Sequence, residues 1–375
     1  MTARYPRCSW RPHRLALVVK IQGKGTKMRL GLNLGYWGMG NDADNLALAR
    51  EADTLGYSVV WAAEAYGSDA ATVLAWIGAQ TTSIDLGSAV FQIPGRTPAL
   101  TAMTAATLDT LSNGRFRLGL GVSGPQVSEG WHGVRFDRPL SRTREYVEIV
   151  RMALRRERVS FSGEHFTLPL PDGPGKALTL TVHPVRDHIP IYLAAIGPKN
   201  LELAGSIADG WLAIFFSPEH ASEIMKPLRA ALQARGATEF DVVPTVPVVF
   251  GEDLESCAAP LRAYTALYVG GMGSKESNFY NQLACRMGFE KEAAVVQEKY
   301  LERDYDGAAD AVPLELIDQT CLIGPPERVR DRLGAYADAG VTTLSITPFA
   351  WRLEDRLAIV QAMPRLLQES GLTSA

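Results

Sequence analysis

The stretch RFRLGLGVSGPQVSEGWHG, residues 115–133, decides how this chain folds. Apolar residues alternate with small or polar ones in its first half, which is typical of a buried strand. Glycine then removes the side chains from the exit of that strand, at Gly119, Gly121 and Gly124. A strand that ends in bare backbone and opens into a loop leaves room for a large, flat ligand.

A second stretch, HIPIYLAAIGPKNLELAGSIADGW at 188–211, has the same design. Its apolar first half is typical of a strand that is covered on both faces. Gly197 and Pro198 come directly before a helix pattern. Lys199 and Asn200 follow, where they add a charge and an amide donor. Because free amides at the start of a helix bind phosphate, this stretch predicts a phosphate site.

Strand patterns and helix patterns alternate along the rest of the chain, which is typical of a parallel sheet with helical crossovers. The predicted strands are 29–34, 57–62, 84–91, 115–121, 189–195, 210–216, 242–250 and 341–347. The predicted helices are 41–55, 70–81, 98–111, 141–155, 199–207, 218–234, 256–268, 325–339 and 353–367. Eight strands predict an α/β fold, a (β/α)8 TIM barrel with insertions after strand 4, at 159–183, and after strand 7, at 270–281.

A doubly wound sheet is the alternative architecture, and it would carry a GxGxxG fingerprint for phosphate after the first strand. The chain has LGYWGMGN there, with glycine at Gly35, Gly38 and Gly40. This spacing does not match the fingerprint, so the pattern favours the barrel.

The composition limits the classes of function. The chain has 375 residues, of which 46% are hydrophobic and 21% are charged, and its net charge is -3. These values argue against a disordered chain, and no apolar run approaches the length of a membrane span. Because the net charge attracts neither nucleic acid nor anionic lipid, we expect the partner to be a small molecule.

The cysteines and histidines do not predict a metal or redox site. The four cysteines lie far apart and have no redox or metal-ligand spacing, so we expect them to be reduced in a cytoplasmic protein. No carboxylate or cysteine stands at ligand spacing from His183 and His188, and no metal is predicted. The chain also lacks GxSxG, Walker and HExxH motifs, which excludes the corresponding hydrolases and kinases.

The first 27 residues differ from the rest, because they carry seven Lys and Arg residues and no acid appears before Asp42. Their apolar stretch is too short for a secretory signal, and no cleavage site follows it. We therefore predict that 1–27 is a disordered or wrongly assigned extension and that 28–375 forms one barrel domain.

In a TIM barrel, functional side chains lie at the carboxyl ends of the strands. Glu64 ends the second strand, where its carboxylate either bonds a ligand ring or caps the next helix. His132 follows the fourth strand and is either a general acid or an ordinary loop histidine. Both interpretations of each residue stay open. Small, amide and aromatic residues occupy the other strand ends, and they suit a flat ring with a phosphate tail.

Five segments resemble the bacterial luciferase-like superfamily, and in particular its actinobacterial branch that uses the 5-deazaflavin coenzyme F420. They are LGLNLGYWG (30–38), AAEAYGSDA (62–70), LGSAVFQIPGRTP (86–98), TLDTLSNGRFRLGLGVSGPQVSEGWHG (107–133) and IGPKNLELAGSIADGWL (196–212). The resemblance covers nearly the whole chain from Met28 onward, and it implies an F420-dependent oxidoreductase.

The resemblance also implies where the deazaflavin binds, across the mouth of the barrel and above a non-proline cis peptide bond between Ala89 and Val90. The implied cofactor contacts are Glu64, Ala89, Val90, Gly121, Ser123, Gly124, Ile196, Gly197, Pro198, Lys199 and Asn200. Other strand ends and their loops place the expected substrate pocket at Asn33, Tyr36, Trp37, Tyr66 and Trp131.

Two departures from the family limit the substrate. The glucose-6-phosphate dehydrogenases of this superfamily have a histidine and a glutamate at the positions of Ala65 and Pro125, so sugar-phosphate oxidation is not expected. Nothing in the chain singles out a pterin substrate either. The catalytic acid or base stays unassigned, with Glu64 and His132 as the candidates.

Three functions are compatible with these residues. The first is F420-dependent hydride exchange with an unidentified small organic substrate. The second is an FMN-dependent luciferase-like monooxygenase, and the third is a flavin-binding barrel without turnover. Insertions in such barrels often supply apolar contacts between subunits, so a homodimer is expected.

Overall fold

The computed structural model describes residues 27–35, 37, 42–273 and 278–373. Within them, parallel strands form one closed barrel. The barrel strands are β1 Arg29–Asn33, β2 Val59–Ala62, β3 Asp85–Ser88, β4 Phe116–Gly121, β5 Ile191–Ala194, β6 Gly210–Ile214, β7 Asp241–Phe250 and β8 Thr343–Pro348. Each strand pairs with the next, and β8 pairs with β1, which confirms the predicted barrel.

Helices form the outer layer of the barrel. They are α1 Asp42–Thr54, α2 Ala70–Gly78, α3 Pro98–Leu111, α4 Pro139–Leu154, α5 Pro198–Ile207, α6 Lys226–Ala234, α7 Pro326–Ala339 and α8 Leu353–Glu369. The start of α3 shows how the sequence specifies such a helix. The Thr97 side chain accepts a hydrogen bond from the amide of Leu100, and Pro98 occupies the first turn, where an amide needs no partner in the helix.

Two insertions extend the barrel at the predicted positions. After β4 come the short helix Pro125–Gly130 and, beyond α4, an antiparallel pair of Phe161–Ser162 and Thr167–Leu168. After β7 the chain forms Leu254–Ala266, the π-helical turn Leu267–Gly271, Phe279–Arg286, Glu290–Leu301, Tyr305–Asp310, Leu314–Thr320 and Leu322–Gly324. The last of these is a strand that the sequence does not predict, and it pairs with the far end of β7.

Two predicted elements are interrupted in the structure. The third strand, predicted over 84–91, is shorter and resumes as Phe91–Gln92 beside β4. The helix predicted over 218–234 is broken near Pro227, because proline has no amide hydrogen to continue it. Its first part forms Pro218–His220, a 3-10 turn, and Ala221–Ile224.

Several other predictions concern the chain as a whole. The predicted extension 1–27 lies outside the described residues except for Lys27. No described helix is both long and apolar enough to cross a membrane. Cys257, Cys285 and Cys321 are free thiols, as expected.

The barrel interior is filled in layers that position the site. At the amino-terminal end, Arg117 of β4 forms ion pairs with Asp85 of β3 and Asp241 of β7. Above them, the rings of Trp61 and Tyr192 meet edge to face, with centroids 5.3 Å apart. Because these side chains fill the lower part of the barrel, the carboxyl mouth is the place for a ligand.

Candidate active site

A patch of small and apolar residues, which we call the floor, lies in the mouth and consists of Ala89, Val90 and Gly121. The peptide bond between Ala89 and Val90 is cis, which confirms the prediction from the resemblance. Gly121 lies against it, since a Cβ at this position would be 2.5 Å from Val90 Cγ2. Ser88 joins β3 to the same strand by donating from Oγ to the carbonyl of Gly119 at 2.8 Å. A larger residue in place of Gly121 would therefore displace the floor.

The loop after β4 turns sharply. Ser123 has a φ of 63°, a left-handed conformation that costs a residue other than glycine about 1–3 kcal/mol. Gly124 then caps the helix Pro125–Gly130. Backbone strain of this kind clusters at ligand sites. The cofactor contacts expected at Ser123 and Gly124 stay predictions with this support.

The start of α5 is open to a ligand. Gly197 is its N-cap residue and offers no side-chain cap, and among the described residues outside its own chain neighbours, no atom lies within 4 Å of the place where its Cβ would be. Asn200 donates from Nδ2 to the carbonyl of Ala194 at 3.3 Å, which ties the helix to β5, and Lys199 is exposed. An uncapped helix start in open space suits an anionic group.

Arg286 adds a cation beside this helix start, and the sequence analysis misses it. It lies on Phe279–Arg286 in the second insertion and donates from Nη2 to the carbonyl of Ile196 at 3.2 Å. Its side chain is exposed. Because an arginine that lies 90 positions from its partner belongs to no local pattern, only the fold reveals this placement.

The carboxylate of Glu64 is engaged by protein groups on both oxygens. Arg96 binds it through Nε and Nη2, each at 2.9 Å. The amide of Gln92 donates to Oε1 at 3.1 Å, and the amide of Ala70, the first residue of α2, donates to Oε2 at 3.2 Å. Arg96 also pairs with Asp69, the N-cap residue of α2. Its carboxylate therefore ties together the loops after β2 and β3 and accepts a hydrogen bond from the first amide of α2, and the role of Glu64 in ligand binding stays a prediction.

His132 joins the same network through Gln92, which lies at the end of the third predicted strand. Gln92 Nε2 donates to the carbonyl of Glu64 at 2.8 Å, so Gln92 Oε1 is the acceptor that faces His132 Nε2, also at 2.8 Å. This arrangement assigns the proton of a neutral imidazole to Nε2 and leaves Nδ1 as an acceptor, for which the described residues offer no partner. The ring also packs on Gly95, where a Cβ would be 2.8 Å from Cε1. Gln92 and Gly95 thus hold His132 in one orientation.

The residues of the predicted substrate pocket lie in different environments. Asn33 donates to a threonine of β7 at 3.2 Å, at the carboxyl end of β1. Trp37 is buried against a tryptophan of α2, with ring centroids 5.5 Å apart, so its ring packs in the core rather than against open space. Tyr66 and Trp131 are 65% and 66% exposed on loops after β2 and β4. Tyr36 lies outside the described residues.

One group of possible metal ligands occurs among the described residues, formed by Glu145, Glu164 and His165 on α4 and the first insertion. The carboxylate of Glu145 already accepts hydrogen bonds from the amides of Glu164 and His165, at 2.7 and 2.9 Å. These bonds fix the antiparallel pair against α4, so the group has a structural explanation without an ion.

Known proteins match the chain along most of its length. The model of the luciferase-like monooxygenase family matches residues 32–343. A protein of Mycobacterium tuberculosis, named provisionally as a coenzyme F420-dependent oxidoreductase, is 43% identical over 89% of this chain and 99% of its own length. A 5,10-methylenetetrahydromethanopterin reductase of Archaeoglobus fulgidus is 28% identical over 78% of this chain and 85% of its own. The solved structure of the coenzyme F420-dependent tetrahydromethanopterin reductase of Methanopyrus kandleri shares the fold, with a TM-score of 0.77 at 22% identity over 91% of this chain and 100% of the other.

Proposed function

Because this chain belongs to the luciferase-like monooxygenase family, we propose that it is an oxidoreductase that uses coenzyme F420 to exchange a hydride with a small organic substrate. The observation that carries the proposal is the floor at Ala89, Val90 and Gly121, a small apolar surface at the mouth that suits a flat ring. The names of the relatives favour the deazaflavin over FMN.

The residues at the mouth fit this cofactor. The floor would lie under the ring, and Ser123 and Gly124 would lie beside it. The open start of α5 at Gly197 would bind the phosphate, with additional attraction from the charges of Lys199 and Arg286.

Coenzyme F420 supplies a ring carbon that donates or accepts a hydride. The protein positions the substrate over the floor, which lowers the entropic part of the barrier. When a carbonyl compound is reduced, its oxygen also takes up a proton, so the site needs a group that exchanges one. In the direction of alcohol oxidation, Nδ1 of a neutral His132 would accept this proton, and in the direction of carbonyl reduction the protonated imidazole would return it, whereas Glu64 is held in an ion pair by Arg96. We therefore assign proton exchange to His132 and a positioning role to Glu64.

Titration of the purified protein with F420 tests the cofactor. We expect F420 to bind with a micromolar dissociation constant. FMN should bind at least roughly ten-fold more weakly, a difference in binding free energy of about 1.4 kcal/mol. Gly197→Asp places a carboxylate at the start of α5 and should weaken F420 binding by repulsion of the phosphate. Pro313→Asp, at the start of Leu314–Thr320, is the matched control and should leave the affinity unchanged.

Two other outcomes of these experiments would favour an alternative function. Tight binding of FMN without binding of F420 would favour the FMN-dependent monooxygenase. Strong F420 binding with no reduction of any compound in a panel of enones and ketones would favour the barrel without turnover.

His132→Gln tests the assignment of proton exchange. We expect kcat to fall by roughly a hundred-fold, with loss of one limb of the pH profile, while F420 affinity stays unchanged. His183→Gln removes a histidine from an exposed hydrogen bond with Arg156 and is the matched control. If His132→Gln keeps the wild-type pH profile, another group exchanges the proton.

We also propose that the protein is a homodimer joined through α2 and α3. These helices expose the large apolar side chains of Trp76, Leu100, Met103 and Leu111. Asp109 is the one charged residue of α3 and it is buried, so apolar side chains rather than ion pairs dominate this outer surface. Sedimentation should show a dimer that Met103→Glu converts to a monomer. Leu301→Glu, at an exposed leucine of the second insertion, should leave the dimer intact.

A further inference from the structure

A cluster of five aromatic rings stands at one side of the mouth, and we propose that it binds planar, apolar substrates such as aryl ketones. We call this cluster the aromatic wall; it consists of Phe215, Tyr264, Tyr268, Tyr280 and Phe349. The centroids of neighbouring rings lie between 4.9 and 6.1 Å apart. This inference names the substrate class of the same site and rests on the proposed function.

The wall is built from residues that follow three neighbouring barrel strands. Phe215 comes directly after β6, Phe349 comes directly after β8, and Tyr264 lies on Leu254–Ala266, the helix after β7. These positions place the wall at the carboxyl mouth, over β6 to β8. The floor belongs to β3 and β4, on the other side of the same mouth. A molecule that reaches from the floor across the mouth would therefore meet the wall.

Two features of the backbone distinguish the wall from ordinary core packing. Phe215 has a φ of 52°, a left-handed conformation that is unfavourable for a bulky residue and concentrates at functional sites. Tyr268 lies in the π-helical turn Leu267–Gly271, an element that is also frequent at such sites. Gly270 of this turn packs on Tyr300, where a Cβ would be 2.5 Å from Tyr300 Cβ. The chain thus uses two uncommon backbone conformations to direct these rings.

The chemistry of the wall favours one class of ligand. Aromatic rings pack edge to face or offset against another flat ring, and an aryl ketone offers such contacts over its whole area. Ile214 and Val249, both partly buried, pack against the same cluster and extend its apolar surface. The ring faces and these aliphatic side chains offer a sugar no partner for the hydrogen bonds that it would give up with water. We therefore expect selection for flat apolar carbonyl compounds.

Equilibrium binding to the protein loaded with oxidised F420 tests the wall, because no substrate reduction takes place there. We expect calorimetry to show that 2-acetonaphthone binds roughly ten-fold more tightly than cyclohexanone. Tyr264→Leu should weaken 2-acetonaphthone binding by roughly ten-fold and cyclohexanone binding by less than about two-fold. Tyr264→Phe keeps the ring and should retain the affinity for 2-acetonaphthone.

Two further variants make the test decisive. Tyr305→Leu changes a 54% exposed tyrosine in the same insertion but outside the wall, and it should leave both affinities unchanged. Tyr268→Leu repeats the test in case Tyr264→Leu does not fold. If F420 binds and both leucine variants bind 2-acetonaphthone like the wild type, the wall is not a substrate site and the proposed function stands. Failure of F420 to bind would instead overturn the proposed function itself.

Discussion

The two ends of the barrel are built from the same strands but differ in their chemistry. At the amino-terminal end, Arg117 lies 2.8 Å from Asp85 and 3.3 Å from Asp241, whose other oxygen lies 3.0 Å from Arg29. Each of these charges has a partner. At the mouth, the floor consists of small and apolar residues without charge, and α5 starts at Gly197 without a side-chain cap. Ion pairs thus stabilise the amino-terminal end, which we call the closed end. The carboxyl mouth, which we call the open end, keeps space for a ligand.

Removal of Arg117 should have the largest effect, because the closed end would then contain two carboxylates without their shared partner. We expect Arg117→Met to lower the free energy of unfolding by about 3–5 kcal/mol in urea denaturation. Arg352→Met breaks an exposed pair with Asp355 and is the matched control, for which we expect an unchanged midpoint. Equal shifts in both variants would mean that the closed end has no special role in stability.

Acid should destabilise the closed end through Asp241. Burial raises the pKa of this carboxyl, but Arg29, Arg117 and Thr342 lower it more, so the pKa lies below its ordinary value. A carboxyl of this kind stabilises the fold above its unfolded pKa of about 3.9, and this contribution is lost as the pH falls through the lower folded value.

Acid unfolding followed by circular dichroism measures this dependence. We expect Asp241 to make no pH-dependent contribution from about pH 8 to about pH 5 and to lose its contribution below about pH 4. Asp241→Asn should be less stable at neutral pH and should show a shallower decline in acid. The same decline in both proteins would assign the acid sensitivity to other carboxyls.

At the open end, Gly121→Ala should affect stability less and ligand binding more. The added methyl would lie 2.5 Å from Val90 Cγ2, and such overpacking costs about 1–3 kcal/mol of stability. F420 affinity in a fluorescence titration should fall by roughly ten-fold, because the floor is displaced. Gly334→Ala on α7 is the control and should keep the affinity, because a Cβ there would meet no atom of another described element within 4 Å. Normal F420 binding by Gly121→Ala would place the ring elsewhere.

The sequence predicts the parts of the fold that depend on local signals and misses those that depend on contacts between distant residues. The strands are predictable because alternation and terminal glycines are local signals, and the start of α3 at Pro98 is predicted to the residue. The strand Leu322–Gly324 is not predicted, since three residues carry too little periodicity. The pairing of Arg117 with Asp241 is also invisible, because 124 positions separate them.

The candidate site is less predictable than the fold, because its contacts join residues that lie far apart in the sequence. Arg96 reaches Glu64 across 32 positions, and Arg286 reaches Ile196 across 90. Neither arginine belongs to a local pattern, so the sequence leaves Glu64 with two open interpretations. Trp37 lies after a strand end, as predicted, and is also buried, so its place in the substrate pocket stays a prediction.

Glu64→Gln should have the smallest effect, and it tests whether this residue belongs with the paired charges or with the ligand. Its carboxylate is bound by Arg96, as the carboxylates of the closed end are bound by Arg117, but it lies at the mouth. If it only positions loops, the loss of stability should be about 1 kcal/mol. F420 affinity should then stay within about two-fold of the wild type. Glu255→Gln breaks a more exposed pair with Arg262 and is the matched control. A roughly ten-fold loss of F420 affinity in Glu64→Gln alone would place this carboxylate against the cofactor.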